Sequence, residues 1–179
     1  RDYEPLPDDI IELGLDVARE GDDSTVCYIR RGFQIRRLWR SQKEKTTETA
    51  GRAIQSLKET GASRIYVDAN GIGAGVYDML IEQGAPATAV LFGAQPVSES
   101  APGDVSLEEG QKRASERFEN LKAQLYWHFR DLLEEGALDL DPADDALLSQ
   151  ATIIRHFLNR KGKIQIEAKE DMKKRGIPS

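Results

Sequence analysis

The sequence predicts a mixed α/β fold, in which a meander of three strands precedes alternating helices and strands. Short runs rich in β-branched and aromatic residues come first, each bounded by polar or glycine turns. Apolar residues at helical spacing follow, and each of the next two helical segments precedes a short strand. With 179 residues, of which 39% are hydrophobic, the chain can bury a core, and we expect a single domain over residues 1–179.

The first half of the chain supplies the strands of the predicted sheet. IIELGLDVA, STVCYIRR and FQIRRLWR are predicted strands, separated by the turn REGDD and by Gly32. TTETAGRAIQSLKETG is a predicted helix that begins at a threonine cap and ends at Gly61. RIYVDA then predicts a strand, GIGAGVYDMLIEQG a glycine-rich turn and a helix, and ATAVLF another strand. This alternation predicts parallel strands joined by helical crossovers.

The second half predicts helices and one hairpin. After the loop GAQPVSESAPGDVSLEEG, the apolar spacing predicts one long helix from Arg113 to Glu135. Asp141 and Pro142 fit the cap and first position of another helix. ATIIRHFLNRKGKIQIEAK predicts a β-hairpin that turns at residues 159–162, and KEDMKKRG a last helix that ends at Gly176.

Several classes of protein and site are disfavoured. No apolar run approaches the roughly 20 residues of a membrane span, and RDYEPLPDDI lacks the features of a signal peptide, so we expect a cytosolic protein. Cys27 is the single cysteine, and its apolar neighbours predict a packing role. His128 and His156 have no partner at metal-ligand spacing and are also expected to pack. No GxxxxGK[ST] run is present, so we expect no P-loop motor in this chain.

The distribution of charge leaves nucleic-acid binding open. A net charge of −6 opposes contact with phosphates, which depends on Lys and Arg. Basic residues nevertheless cluster, and a local patch rather than the total charge meets a duplex. An ordinary solvated surface on an acidic protein is the alternative. The clustered residues are Arg30, Arg31, Arg36, Arg37, Arg40, Lys161, Lys163, Lys169, Lys173, Lys174 and Arg175.

Two aspartates stand where chemistry is expected. Asp16 closes the apolar run of the first predicted strand and Asp68 closes RIYVD, so neighbouring strands would bring both carboxylates to one cleft. Paired carboxylates repel unless a cation compensates, and Mg²⁺ and Mn²⁺ prefer such hard oxygen ligands. Each aspartate taken alone also fits a strand-end or turn role. Asp22 fits a turn or a supporting role, and Glu12 fits either a neighbour of the site or an exposed edge residue.

The glycine run after RIYVDA suggests a nucleotide-binding alternative. Gly71, Gly73 and Gly75 follow a strand, but the acidic residue that completes a dinucleotide fingerprint is missing, since that position has LFG. An actin-like or sugar-kinase phosphotransferase shares the meander and an early aspartate. It requires a second glycine-rich phosphate loop, which the sequence lacks.

The ordered motifs resemble a known family. GLDVAREGDDSTV, IYVDANGIGAGVYDML, NLKAQLYWHFRDLLEEG and KIQIEAKEDMKKRGIPS occur in the order of the nuclease-domain motifs of tailed-bacteriophage terminase large subunits, and the resemblance spans Ile10 to Ser179. It implies a ribonuclease H-like fold and an endonuclease that cuts concatemeric viral DNA during packaging. Asp16 and Asp68 would be its first two catalytic carboxylates and metal ligands.

The resemblance also implies cofactors and partners. Mg²⁺ or Mn²⁺ would form a two-metal site with ions about 3.5 to 4 Å apart. Double-stranded DNA, the terminase ATPase domain (expected before residue 1), the small terminase subunit and the portal protein are implied partners in the host cytoplasm. The family pattern places its third catalytic aspartate just beyond Ser179, with Asp171 a weaker substitute that does not match the motif position. Other open functions are a resolvase-type or transposase-type nuclease on the same fold and a non-catalytic docking module of the motor.

The last predicted helix is a candidate DNA contact. Its basic side chains could draw the phosphate backbone toward the metal site, whereas a solvated basic face is the plain alternative. These side chains are Lys169, Lys173, Lys174 and Arg175.

Overall fold

A computed structural model describes residues 3–18, 23–98 and 107–177. The chain divides into two compact units. Unit 1 comprises Arg1–Leu91 and Gly136–Asp144, and unit 2 comprises Phe92–Glu135 and Asp145–Ser179. The expected single domain over residues 1–179 stays a prediction.

Unit 1 contains a six-stranded mixed sheet with the strand order β5-β4-β1-β2-β3-β6. The meander β1–β2–β3 is antiparallel, whereas β4 pairs parallel with β1, β5 with β4, and β6 with β3. The predicted meander and parallel strands are therefore confirmed. The strands are β1 (Ile11–Asp16), β2 (Thr25–Arg31), β3 (Gln34–Ser41), β4 (Arg64–Asp68), β5 (Ala87–Val90) and β6 (Asp139–Leu140).

Two helices of unit 1, α1 (Thr46–Thr60) and α2 (Gly73–Glu82), pack on one face of this sheet. Alternate residues of β1 and β4 point into the core they form, because successive side chains of a strand face opposite sides. The buried core residues from these strands and helices are Leu13, Leu15, Ile65, Val67, Ala50, Ala53, Leu57, Val76 and Leu80. Cys27 joins them at 0% exposure, which confirms its packing role. The intervening residues face away from α1 and α2.

The predicted threonine cap at the start of α1 is wrong, whereas the predicted end of the helix is correct. Lys45, not a threonine, is its N-cap, and the Glu48 carboxylate accepts a hydrogen bond from the Lys45 backbone N–H at 3.0 Å. The acidic side chain at the third helical position therefore replaces the expected threonine cap. The helix ends as predicted at Gly61, whose φ of 68° lies in the left-handed region that favours glycine.

Unit 2 consists of four described helices and a two-stranded hairpin. The hairpin confirms the predicted turn: the Asn159 side-chain oxygen accepts hydrogen bonds from the backbone N–H groups of Lys161 (2.9 Å) and Lys163 (3.1 Å). Gly162 adopts a φ of 73° at the turn. The elements are α3 (Leu107–Arg117), α4 (Leu121–Glu134), α5 (Asp145–Ile153), β7 (His156–Leu158), β8 (Ile164–Ile166) and α6 (Lys169–Lys174).

The predicted long helix from Arg113 to Glu135 is wrong, because the chain breaks between α3 and α4. Buried Phe118 forms a β-bridge with Ile164 at this break. Asn120 then caps α4 by accepting a hydrogen bond from the Ala123 backbone N–H at 3.0 Å. A distant strand thus competes with helical continuity, and the capping residue starts a new helix.

The helix predicted at Asp141 and Pro142 also begins later. The Asp141 side chain accepts a hydrogen bond from the Ala143 backbone N–H at 2.9 Å, which closes a turn, and α5 begins only at Asp145.

The histidines pack against aromatic rings, as predicted. His156 meets Trp127 edge-on at 4.9 Å between ring centroids, and His128 meets Phe118 at 6.2 Å. Across the described ranges, no helix has both the length and the apolar character needed to span a membrane.

Candidate metal centre

Asp16 and Asp68 end two adjacent parallel strands. The parallel register runs from Glu12 paired with Arg64 to Leu15 paired with Val67, and the two aspartates come one residue later. Neighbouring strands are about 4.8 Å apart. Both aspartates alternate with core residues, so they lie on the sheet face opposite α1 and α2, where Asp16 is exposed and Asp68 half-buried.

This donor set fits a divalent cation. Two carboxylates at neighbouring positions repel each other, and a hard cation such as Mg²⁺ or Mn²⁺ relieves that repulsion while accepting oxygen ligands. Within the described ranges, no group of three or more His, Cys, Asp or Glu side chains could hold a metal ion. The described residues therefore bring together a carboxylate pair, and the third acid expected beyond Ser179 stays a prediction.

Asn70 fixes the orientation of the Asp68 carboxylate. Its side-chain Nδ2 donates to Asp68 Oδ1 at 2.6 Å, and its backbone N–H donates to the same oxygen at 2.9 Å. Both bonds converge on Oδ1, which leaves Oδ2 outside this pair of bonds. Sequence reasoning missed Asn70, although an amide two residues after an aspartate is a typical turn signal.

Gly73 allows the start of α2 to pack directly against Asp68. A Cβ at this position would overlap the Asp68 carbonyl oxygen and lie 3.0 Å from the carbonyl carbon. Gly71, two residues earlier, has a φ of 75°. Backbone geometry thus explains two of the three glycines in the run that suggested a nucleotide loop.

Three rows of side chains cross the polar face of the sheet. In the first row Asp16 is paired with Val26, and Val26 with Arg40, so Arg40 lies level with the carboxylates, roughly 10 Å from Asp16 across two strand spacings. In the second row Gly14 lies between Tyr66 and Tyr28, and in the third Glu12 lies between Arg64 and Arg30.

The Asp144 carboxylate contacts both Tyr28 on β2 and Arg37 on β3. The Tyr28 hydroxyl donates to Asp144 Oδ2 at 2.8 Å, and Arg37 donates to Asp144 Oδ1 at 2.8 Å. The Asp144 side chain is 2% exposed. Burial, followed by the Asp144 hydrogen bond, raises the pKa of Tyr28 to about 12. Tyr28 and Asp144 are 116 residues apart, so local sequence patterns contain no sign of this contact.

Glu12 belongs to a separate network at the far end of β1. It forms an ion pair with Arg30 and accepts a hydrogen bond from the Tyr66 hydroxyl at 3.2 Å. It is in phase with Asp16 but four residues away, roughly 13 Å along the strand. Burial, then the charge of Glu12, raises the pKa of Tyr66. Neither predicted alternative for Glu12 holds, because it is a paired, half-buried residue on a central strand and lies away from the carboxylate pair.

A family model described as the terminase RNaseH-like domain matches residues 13–172. The chain belongs to this family. The match spans both predicted aspartates and most of the hairpin and α6 region, so the predicted resemblance and the ribonuclease H-like fold are confirmed. None of the curated proteins matches the chain.

Solved terminase domains share this fold. The nuclease domain of the large terminase subunit of bacterial virus Sf6 superposes with a TM-score of 0.77 at 24% identity, covering 95% of this chain and 83% of that one. A mutant of that domain with manganese gives 0.73 at the same identity and coverage. The large terminase nuclease of thermophilic phage G20c with bound magnesium gives 0.57 at 19% identity, covering 92% and 74%.

Two further predicted site residues of this terminase domain are Asp22 and Asp171. Asp22 falls outside the described residues. Asp171 lies on α6 of unit 2 and accepts a hydrogen bond from Lys174 Nζ at 2.6 Å. Its role as a substitute ligand stays a prediction.

The four predicted DNA-contacting residues, three in α6 and Arg175 at its C-cap, differ in their surroundings. Arg175 donates to both carboxylate oxygens of buried Glu167, at 2.7 and 2.6 Å, and Lys174 is paired with Asp171. Lys169 and Lys173 are exposed. Arg175 therefore stabilises unit 2, whereas all three lysines are exposed and Lys174 is paired with Asp171.

Proposed function

We propose that this terminase domain is a metal-dependent endodeoxyribonuclease that cuts concatemeric viral DNA during genome packaging. One observation carries the proposal: Asp16 and Asp68 end adjacent parallel strands on a sheet face that α1 and α2 leave open. Membership of the terminase RNaseH-like family supports the same activity. In the cell, we expect it to act in the bacterial cytoplasm, together with the ATPase motor, the small terminase subunit and the portal protein.

The carboxylate pair would hold Mg²⁺ or Mn²⁺. The Sf6 domain has been solved with manganese and the G20c nuclease with bound magnesium, which supports a divalent cofactor here. When bound, such ions supply an activated water and stabilise the charge that develops on the leaving oxygen. We expect two ions in the complete site, with Asp16 and Asp68 as ligands.

The chain's own residues would position the reacting groups. Asn70 orients the Asp68 carboxylate, and Gly73 fixes the strand end that carries it. Arg40 lies level with the carboxylates on the same face and is exposed, so it can meet a phosphate next to the one being cut. Positioning of this kind accounts for much of the rate gain in phosphodiester hydrolysis.

The direct test is cleavage of supercoiled plasmid by the domain extended through the third acid expected after Ser179, with Mn²⁺, with Mg²⁺ and with EDTA. We expect nicking only with a divalent ion, and we expect Asp16→Asn and Asp68→Asn to abolish it without lowering the melting temperature in metal-free buffer, since each removes one repelling charge. Glu59→Gln is the control, because it neutralises an exposed carboxylate on α1, on the side of the sheet opposite the carboxylate pair. Full activity in both asparagine variants would end the nuclease proposal and favour a docking module.

The DNA path is tested by the salt dependence of binding. Each phosphate contact contributes about 0.9 to the slope of log affinity against log salt, so Arg40→Ala should flatten the slope by about 1. Arg52→Ala is the control, because Arg52 stacks on Trp39 from α1, on the core side of the sheet. Lys169→Ala with Lys173→Ala tests α6 in the same assay. An unchanged slope in all of these variants would place the DNA elsewhere.

A further inference from the structure

Gly14 is a glycine that neither backbone conformation nor packing explains. It lies in the middle of β1, and it is absent from the glycines with positive φ. A Cβ added there would meet no atom within 4 Å, and the residue is exposed. Glycine inside a strand costs roughly 0.5 to 1 kcal/mol relative to alanine. A glycine retained in such a place usually marks the close approach of another backbone or of a ligand.

The neighbours of Gly14 turn it into the floor of a trough. Tyr66 on β4 and Tyr28 on β2 are its register partners, so both rings stand on the same face on either side of it. Tyr28 is held by Asp144 and Tyr66 by Glu12, which fixes both walls. Tyr66 keeps 37% of its surface exposed.

The trough is closed at one end and open at the other. The ion pair between Glu12 and Arg30 stands at the closed end. Asp16 stands at the open end, two residues from Gly14 on the same face, or roughly 6.6 Å along the strand. A group that occupies the trough therefore lies next to whatever the carboxylate pair binds.

We infer that the trough seats the sugar next to the phosphate that is cut, on the DNA strand that the metal centre attacks. This inference rests on the proposed function, since it takes the phosphodiester to lie at Asp16 and Asp68. A deoxyribose ring is compact and largely apolar, which suits a backbone floor between two aromatic walls. Arg40 and Arg64 lie on the same face, where they can contact the flanking phosphates. Their positive charge favours a polyanionic strand over an uncharged occupant.

Larger side chains at position 14 test this inference, because they fill the trough without a steric clash. Gly14→Ala and Gly14→Leu add one methyl and then a full side chain into open space, so the melting temperature should stay level or rise. Gly51→Ala is the matched control, since Gly51 is another exposed glycine with nothing within 4 Å of an added Cβ, on α1. We would measure plasmid cleavage, the anisotropy of a labelled duplex and Mn²⁺ binding by calorimetry.

We expect graded loss of kcat/KM and of duplex affinity from Gly14→Ala to Gly14→Leu, with cleavage falling on the order of 100-fold in the leucine variant. Mn²⁺ affinity should remain that of the wild type. Wild-type cleavage and binding in Gly14→Leu would overturn the trough and leave the proposed nuclease standing. If the wild type itself fails to cut DNA, the proposed function fails, and the anisotropy comparison still decides whether the trough contacts DNA.

Discussion

Gly73→Ala should damage cleavage through a single methyl group. The added Cβ would overlap the Asp68 carbonyl oxygen and lie 3.0 Å from the carbonyl carbon, whereas non-bonded carbons normally stay about 3.5 Å or more apart. Both partners are main chain, so no flexible side chain can move aside. Either the start of α2 or the end of β4 must therefore shift, on the order of 1 Å.

The magnitude follows from that shift. Overpacking of this kind costs roughly 1 to 3 kcal/mol, and each kcal/mol lowers the melting temperature of a chain of this size by roughly 2 to 4 °C. A misplacement of about 1 Å at a catalytic group costs roughly 100-fold in rate. We therefore expect kcat/KM for plasmid nicking to fall about 100-fold, well beyond what the modest loss of stability would cause at 25 °C.

Gly75→Ala on the same helix is the control for this prediction. A Cβ at Gly75 meets nothing within 4 Å, so alanine should stabilise α2 by roughly 0.5 to 1 kcal/mol and leave cleavage unchanged. Paired thermal melts and initial nicking rates compare the two variants. Wild-type nicking and an unshifted melting temperature in Gly73→Ala would refute the idea that this contact positions Asp68.

Three further predictions concern single groups. Asn70→Ala should weaken Mn²⁺ binding roughly 10- to 100-fold in calorimetry, because ligands lose affinity when their supporting hydrogen bonds are removed; unchanged affinity would reduce Asn70 to a turn residue. The Arg175 hydrogen bonds lower the pKa of Glu167 below its ordinary 4.5. Since the folded-state pKa is depressed, this pair stabilises the fold above pH 4.5 and the stabilisation is lost as pH falls through the lowered pKa; Glu167→Gln should flatten that part of the stability profile, and an identical profile would contradict the pairing. Burial raises the pKa of Cys27 to about 12, so a thiol reagent at pH 8 should label it only after unfolding, and rapid labelling of the folded protein would show that Cys27 is accessible.

The first half of the fold could be predicted because local patterns there agree with the tertiary structure. Alternating apolar residues in β1 point to the core that α1 and α2 complete, and glycine at position 61 ends α1 in the left-handed conformation. The second half was harder. The apolar stripe continues through the break at Phe118, where the bridge to Ile164, 46 residues on, and the Asn120 cap separate α3 from α4. β6 has two residues and depends on β3 for its pairing, so it has no periodic signal of its own.

The neighbouring placement of the two aspartates could be predicted, but their surroundings could not. Asp16 and Asp68 could be identified in the sequence because each follows the apolar residues of a strand. Parallel pairing of these strands then makes them neighbours. The support for them depends on register and close approach. The placement of Arg40 level with Asp16 requires the pairing across three strands, and the role of Gly73 requires knowing which backbone it meets.

Calorimetric titration with Mn²⁺ measures directly whether the carboxylate pair binds a metal ion. We expect the wild-type domain to bind Mn²⁺, Glu59→Gln to bind it equally well, and Asp16→Asn and Asp68→Asn each to lose most of the affinity. Mg²⁺ should give the same ranking with weaker binding. Equal Mn²⁺ affinity in the wild type and both asparagine variants would contradict the account, because it would place the metal away from the ends of β1 and β4.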